Sequence, residues 1–153
     1  MNERTFMSNV KLSFLDHNLW ATTLVDGSDF QTRPCDMIAC LEGKLVAIEG
    51  KFQKSFSAFG IKHIRDSQVL NLDAISQGRG VAFIFLNIWI PNKENRLLIW
   101  EWEIFKKITA NASLKKKTLL EMPYIQGAKK RFPIEDILLE IDSQLKRKSE
   151  FIG

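Results

Sequence analysis

The stretch from Pro34 to Lys51, PCDMIACLEGKLVAIEGK, leaves few structural options. Cys35 to Leu41 is apolar except for Asp36, and Leu45 to Ile48 is apolar before Glu49 and Lys51 interrupt it. Glu42-Gly43-Lys44 supplies turn chemistry between the two runs, since Gly43 tolerates positive φ. The reading is two antiparallel strands and a tight turn. If Glu42 and Gly43 form a two-residue loop, Leu41 faces Lys44, and counting outward sets Asp36 directly opposite Glu49. Paired residues share a face with Cβ atoms roughly 5 Å apart, and alternation adds Lys51 to that face while Ile48 and Gly50 turn away. A four-residue loop keeps this register. A three-residue loop moves Asp36 opposite Gly50 and scatters the group.

Two carboxylates about 5 Å apart repel by roughly 3 kcal/mol at an effective dielectric near 20, so one of them would hold a proton. A divalent cation resolves the conflict, and hard oxygen ligands suit Mg²⁺, with Mn²⁺ as a substitute. A lysine alongside can orient the attacking water and stabilise the charge that develops on phosphorus. The combination suits hydrolysis of a phosphodiester. The plain alternative is surface charge on a hairpin. Glu-x-Lys is common, and the chain contains a second copy, Glu42-Gly43-Lys44, that reads as a turn. Against that alternative, Glu49 and Lys51 end a buried-looking run, where unpaired charge is costly.

At 153 residues the chain is expected to form one domain, 1–153. No apolar run reaches the length of a membrane span, and MNERTFMSN lacks a signal-peptide pattern. Cys35 and Cys40 fall on opposite faces of one strand, and with only two histidines a zinc site is not indicated. A reduced, cytoplasmic setting is expected, with no membrane and no small-molecule cofactor. The net charge of +4 mildly favours a polyanionic partner.

Taken in order, residues 3–17 pattern as a helix with Phe6, Met7, Val10, Phe14 and Leu15 inward. Residues 19–25 form a strand, followed by a turn in which Asp26 and Asp29 are turn formers rather than ligands. Residues 52–61 read as a loop with Lys54 in reach of phosphate, and with Phe56 and Phe59 as core rather than wedges between bases. Residues 64–76 form a helix that carries Gln68 and turns Ile64, Val69, Leu72 and Ile75 inward, ended by Gln77-Gly78-Arg79-Gly80. Val81 to Ile90 suits a central strand buried on both faces. A hairpin-type loop leads to a strand over 97–105, and 134–148 closes as an amphipathic helix with Ile137, Leu138, Ile141 and Leu145 inward. Between them, residues 106–131 hold eight lysines and arginines and one acid, Glu121. Lys115, Lys116, Lys117, Lys129, Lys130 and Arg131, with Lys54, are the candidate DNA contacts; a solvated basic surface is the alternative. The expected fold is α/β, a single mixed β-sheet of four or five strands flanked by helices.

Pro34-Cys35-Asp36 followed by Glu49-Gly50-Lys51 resembles the PD-(D/E)XK nuclease superfamily, whose core is restriction-endonuclease-like. The text after Lys51 (SFSAFGIKHI, then Ile64 to Gln68, then the glycine-led strand Gly80-Val81-Ala82-Phe83) is similar to RecU-like Holliday junction resolvases of bacteria and phages over roughly residues 12–90. The resemblance implies Asp36, Glu49, Lys51 and Gln68 as catalytic residues. It implies Asp36, Glu49 and the Gly50 carbonyl as metal ligands, four-way DNA junctions as substrate, and a homodimer. Such resolvases usually add a glutamate from the first helix. Met7 holds that position here, and Glu3, one turn earlier on the same face, is the candidate replacement; a helix-start carboxylate in solvent is its other reading. Ser67 replaces the histidine that often precedes the glutamine. Two other functions stay open: a restriction-like or repair endonuclease, and a non-catalytic DNA-binding protein that kept the fold.

Overall fold

The structure, a computed structural model, describes residues 1–26 and 33–152. Helix α1 (Glu3–Leu15) starts where the Asn2 side chain accepts the Thr5 N–H at 2.8 Å. Strands β1 (Ala21–Thr23), β2 (Met37–Leu41) and β3 (Lys44–Gln53) follow as an antiparallel meander. Helix α2 (Asp66–Gln77) then crosses over to β4 (Val81–Ile90), which pairs parallel to β3. Strand β5 (Glu94–Glu101), helices α3 (Trp102–Ile108) and α4 (Lys116–Glu121), strand β6 (Ile125–Gln126) and helix α5 (Ile134–Ile152) complete the chain. The sheet is mixed and six-stranded, in the order β1-β2-β3-β4-β5-β6. The expected α/β class with one mixed sheet between helices is what the chain adopts. No helix among the described residues is long and apolar enough to cross a membrane.

Alternation along the strands divides the interior in two. One face packs Met37, Ala39, Val46, Ile48, Phe83 and Phe85 against α1 and α5. The other packs Ala47, Ala82, Ile84, Leu86, Leu98 and Trp100 against α2, α3 and α4. Strand β4 is apolar on both sides, and Phe83, Ile84, Phe85 and Leu86 are wholly buried between these layers. That doubly covered strand pairs with β3 along the stretch that holds Glu49, Gly50 and Lys51.

Several boundaries differ from the sequence reading. The strand expected over 97–105 ends at Glu101. There the Glu101 carboxylate accepts the N–H groups of Glu103 and Ile104, at 2.8 and 3.1 Å, and starts α3. The Trp100–Trp102 alternation concealed this, because both rings reach the same core from either structure. Six strands form instead of four or five, since β6 lies within the basic stretch. The helix expected from Ile64 begins at Asp66, after a 3-10 turn over Ile61–His63. Leu15 is exposed rather than inward. Strand β1 covers only part of 19–25, and Asp29 lies outside the described residues. Phe59 is core, 2% exposed and stacked against Trp100, whereas Phe56 is half-buried.

Candidate active site

The hairpin register is the one counted from the sequence. Partners run from Leu41 opposite Lys44 to Met37 opposite Ile48. The two-residue turn is made by Glu42 at φ 50° and Gly43 at φ 79°. Regular pairing stops one residue before Asp36, although its N–H still reaches the Ile48 carbonyl at 3.1 Å. The freed Asp36 side chain bends back over β3, and Oδ2 accepts the Gly50 N–H at 2.8 Å. Asp36 and Glu49 are 6% and 1% exposed, so both carboxyl groups sit in a low-dielectric wall and not on a solvated hairpin.

Gln68 connects the rest. It stands in the first turn of α2, where its Oε1 accepts the Arg65 N–H at 3.1 Å and caps the helix. The same oxygen accepts from Lys51 Nζ at 3.1 Å. Its Nε2 donates to Glu49 Oε1 at 2.9 Å. One amide therefore fixes the carboxylate and the ammonium relative to each other, and the helix cap fixes the amide. Asp36, Glu49, Lys51 and Gln68 come together through elements separated by up to 32 positions in sequence.

Burial, then the adjacent Asp36 carboxylate, pushes the Glu49 carboxyl up to about 9 from its ordinary value near 4.5. Lys51 opposes that shift without cancelling it. The pair is thus short of positive charge, and a divalent cation with oxygen preference fits its donor set. The Gly50 carbonyl follows Glu49 directly along β3. Among the described residues no group of three or more His, Cys, Asp and Glu side chains gathers as a metal cluster. A cation here would rest on the two carboxylates, backbone and water.

Glu3 is half-buried and lines a cleft with Arg33 and Asp36. Desolvation raises its carboxyl, with Lys51 and Asp36 as the next influences, so it belongs to the electrostatic field of the site rather than to bulk solvent. Met7 is 4% exposed, and its Sδ lies over Gly50, where a Cβ would come within 2.0 Å. The first helix thus closes on β3 through a thioether, and Met7 brings no acid to the site. Cys35 is buried, and burial with the Glu49 charge pushes its thiol to about 12, which excludes a thiolate nucleophile there.

The basic candidates separate. Lys54 is exposed just past β3, and the loop after it is pinned to the start of α4 by the two Phe59–Leu114 backbone bonds, at 2.9 and 2.8 Å. That places Lys115, Lys116 and Lys117, all exposed, on the Lys51 side of the sheet, where Leu119 enters the core. Lys129 and Lys130 are exposed in a turn whose neighbour Phe132 packs on α1, so they belong to the opposite face. Arg131 pairs with Asp16 at 2.7 Å. Lys106 pairs with Asp73 and Glu103.

Arg33 escaped the sequence reading. Its Nε and Nη2 grip Asp36 Oδ1 at 3.0 and 2.8 Å. Asp26, expected as a turn former, accepts the Arg33 N–H at 2.8 Å and so joins the ends of the intervening segment. The available signal was an arginine three residues before the acid, with Pro34 stiffening the link.

No family model matches this chain, and no curated protein does. Among solved structures it is similar to Hjc, a Holliday junction resolvase from the archaeal hyperthermophile Archaeoglobus fulgidus. The likeness is at 15% identity, covering 73% of this chain and 94% of that one, with a TM-score of 0.44. That distance is too great to carry residue roles from one chain to the other.

Proposed function

We propose that this protein is a Mg²⁺-dependent, structure-selective DNA endonuclease that resolves four-way junctions by phosphodiester hydrolysis. The observation that carries the reading is the chain Glu49–Gln68–Lys51, its glutamate and glutamine buried, set beside the buried Asp36. A merely structural ion pair would close Lys51 directly on a carboxylate. Here a neutral amide holds the two apart and fixes the ammonium and the Glu49 carboxyl group at a set separation. The order α1, antiparallel meander, crossing helix, parallel strand supports a restriction-endonuclease-like core within one nuclease domain.

Asp36 and Glu49, with the Gly50 carbonyl, would hold the cation, either Mg²⁺ or Mn²⁺. The bound cation supplies Lewis-acid stabilisation of the phosphate charge and lowers the pKa of water. Glu49 must give up its proton for this, so loading is pH-dependent. Lys51 orients the attacking water and stabilises charge developing on a non-bridging oxygen. Gln68 is a positioning residue that keeps Glu49 and Lys51 at fixed separation. Lys54 and Lys115 to Lys117 take the DNA backbone beside the site, and Lys129, Lys130 and Arg131 extend contact around the sheet edge. A four-way junction has two-fold related strands, which a homodimer would meet with two such sites. A cytoplasmic protein of a bacterium or its phage fits this role.

The second reading, a DNA-binding protein without cleavage, draws on Met7 in place of a helix acid and on the Arg33 grip on Asp36. Cleavage of a synthetic four-way junction in Mg²⁺, compared with linear duplex, separates the possibilities. Asp36→Ala and Lys51→Ala are each expected to lower the rate by at least about a thousandfold while keeping junction binding. Cleavage surviving either change removes the site assignment. Binding without cutting by the unaltered protein selects the second reading, and equal cutting of duplex selects a general endonuclease.

A further inference from the structure

Asp36 and Glu49 meet the same electrostatic problem in different ways. Among the described residues Glu49 has no cationic partner in direct contact, and burial and Asp36 disfavour its charged form. Asp36 is bound by a cation already in the chain, the Arg33 guanidinium, through both Nε and Nη2 on Oδ1. Its other oxygen is occupied by the Gly50 N–H. Oδ1 thus carries two donors and Oδ2 one, so a divalent cation can take Oδ1 only by displacing the arginine. Arg33 is equipped for displacement. Its side chain is 33% exposed. Asp26 anchors it independently, through the backbone N–H at 2.8 Å and Nη1 at 3.6 Å. Released from Asp36, the fork stays at the mouth of the cleft that Arg4 and Lys11 also line. A guanidinium fork matches the spacing of two phosphate oxygens.

We infer that Arg33 is an exchangeable counter-ion: it holds Asp36 until a divalent cation takes the carboxylate, and then turns to a DNA phosphate in the adjoining cleft. The inference rests on the metal-dependent reading above. Cation and DNA then favour one another, because each is helped by moving Arg33 off Asp36, and linkage requires the effect to be reciprocal.

The test uses the full chain with Arg33→Gln, which keeps length and polarity but removes the charge, and Arg33→Lys, which keeps charge but loses the fork. Mn²⁺ affinity without DNA is measured by titration calorimetry. Arg33→Gln is expected to bind Mn²⁺ about tenfold more tightly than the unaltered protein, since the competing state is lost, with Arg33→Lys between them. Junction affinity is then measured with and without Ca²⁺ as the probe cation. The gain that Ca²⁺ produces in the unaltered protein is expected to shrink about fivefold in Arg33→Gln. Unchanged or weaker Mn²⁺ binding by Arg33→Gln, with binding intact in the unaltered protein, overturns the exchange. Tighter Mn²⁺ binding with an undiminished Ca²⁺ gain overturns the transfer to phosphate. No Mn²⁺ binding by the unaltered folded protein overturns the metal reading itself, and the inference with it.

Discussion

The tripeptide Glu-Gly-Lys occurs twice within ten residues, and the fold treats the copies in opposite ways. At Glu42-Gly43-Lys44 all three residues are exposed, two have positive φ, and no atom of the described residues approaches within 4 Å of where a Gly43 Cβ would stand. At Glu49-Gly50-Lys51 the glutamate is buried, the glycine lies under Met7, and the lysine meets Gln68. The composition is identical, so the difference comes from position on the sheet. The first copy closes a hairpin at its rim. The second lies along β4, whose pairing runs past it to Gln53, and beneath two helices. What surrounds a motif therefore sets its environment, and the first copy is a control for the second inside the same molecule.

The widest separation between the copies should appear in cleavage of a four-way junction. Glu49→Gln keeps the Gln68 contact but removes a charge that the proposed cation would need, and a loss of about a thousandfold or more is expected. Glu42→Gln and Lys44→Ala, both in the exposed turn, should stay within about twofold of the unaltered rate, as surface changes away from a site do. Comparable losses from both copies would show that the hairpin acts through stability and not through chemistry.

A smaller contrast lies in the two glycines. Gly50→Ala drives a methyl into the Met7 thioether and should cost about 1–3 kcal/mol by overpacking. Much of that should return in Gly50→Ala/Met7→Ala, because the two residues touch and their effects do not add. Gly43→Ala meets no neighbour but adopts an unfavourable φ, which costs about 1 kcal/mol. Denaturant midpoints measured with unchanged slopes would rank them. A Gly43→Ala cost equal to that of Gly50→Ala, or no recovery in the double substitution, breaks the steric account.

The hairpin register from Leu41–Lys44 to Met37–Ile48 was readable from sequence because a two-residue turn and an apolar alternation permit little else; the counted Asp36–Glu49 rung does not form, and Asp36 reaches β3 through its side chain instead. Gln68 was placed by resemblance. Its bridging role was not legible, since it depends on where α2 crosses β3, a long-range packing result. Arg33 was missed because its importance comes from a side-chain rotamer beside the carboxylate. The strand-to-helix change at Glu101 was missed because a glutamate between two tryptophans reads equally well as an outward strand residue or as a cap. The basic stretch read as one surface, yet the sheet intervenes and leaves Lys115–Lys117 and Lys129–Lys130 on different faces.

Acidity offers the finest distinction between the copies, and its sign follows from the raised carboxyl of Glu49. A folded-state value above the unfolded one means the native protein binds an extra proton. That contribution to stability is complete below the ordinary value near 4.5 and is lost as pH rises toward about 9. Glu3, also raised by burial, acts in the same direction. In the presence of a chelator, the melting temperature should therefore fall by about 10 °C between pH 6 and pH 8.5. Glu49→Gln carries no titrating proton at that position and should flatten most of the slope. Millimolar Mg²⁺ should reverse the trend, because the cation prefers the ionised carboxylate and its binding strengthens as the proton leaves. A melting temperature that rises with pH under chelation would mean that Glu49 is already ionised in the folded chain, and Asp36 and Glu49 would then need a counter-charge stronger than Arg33 and Lys51 supply.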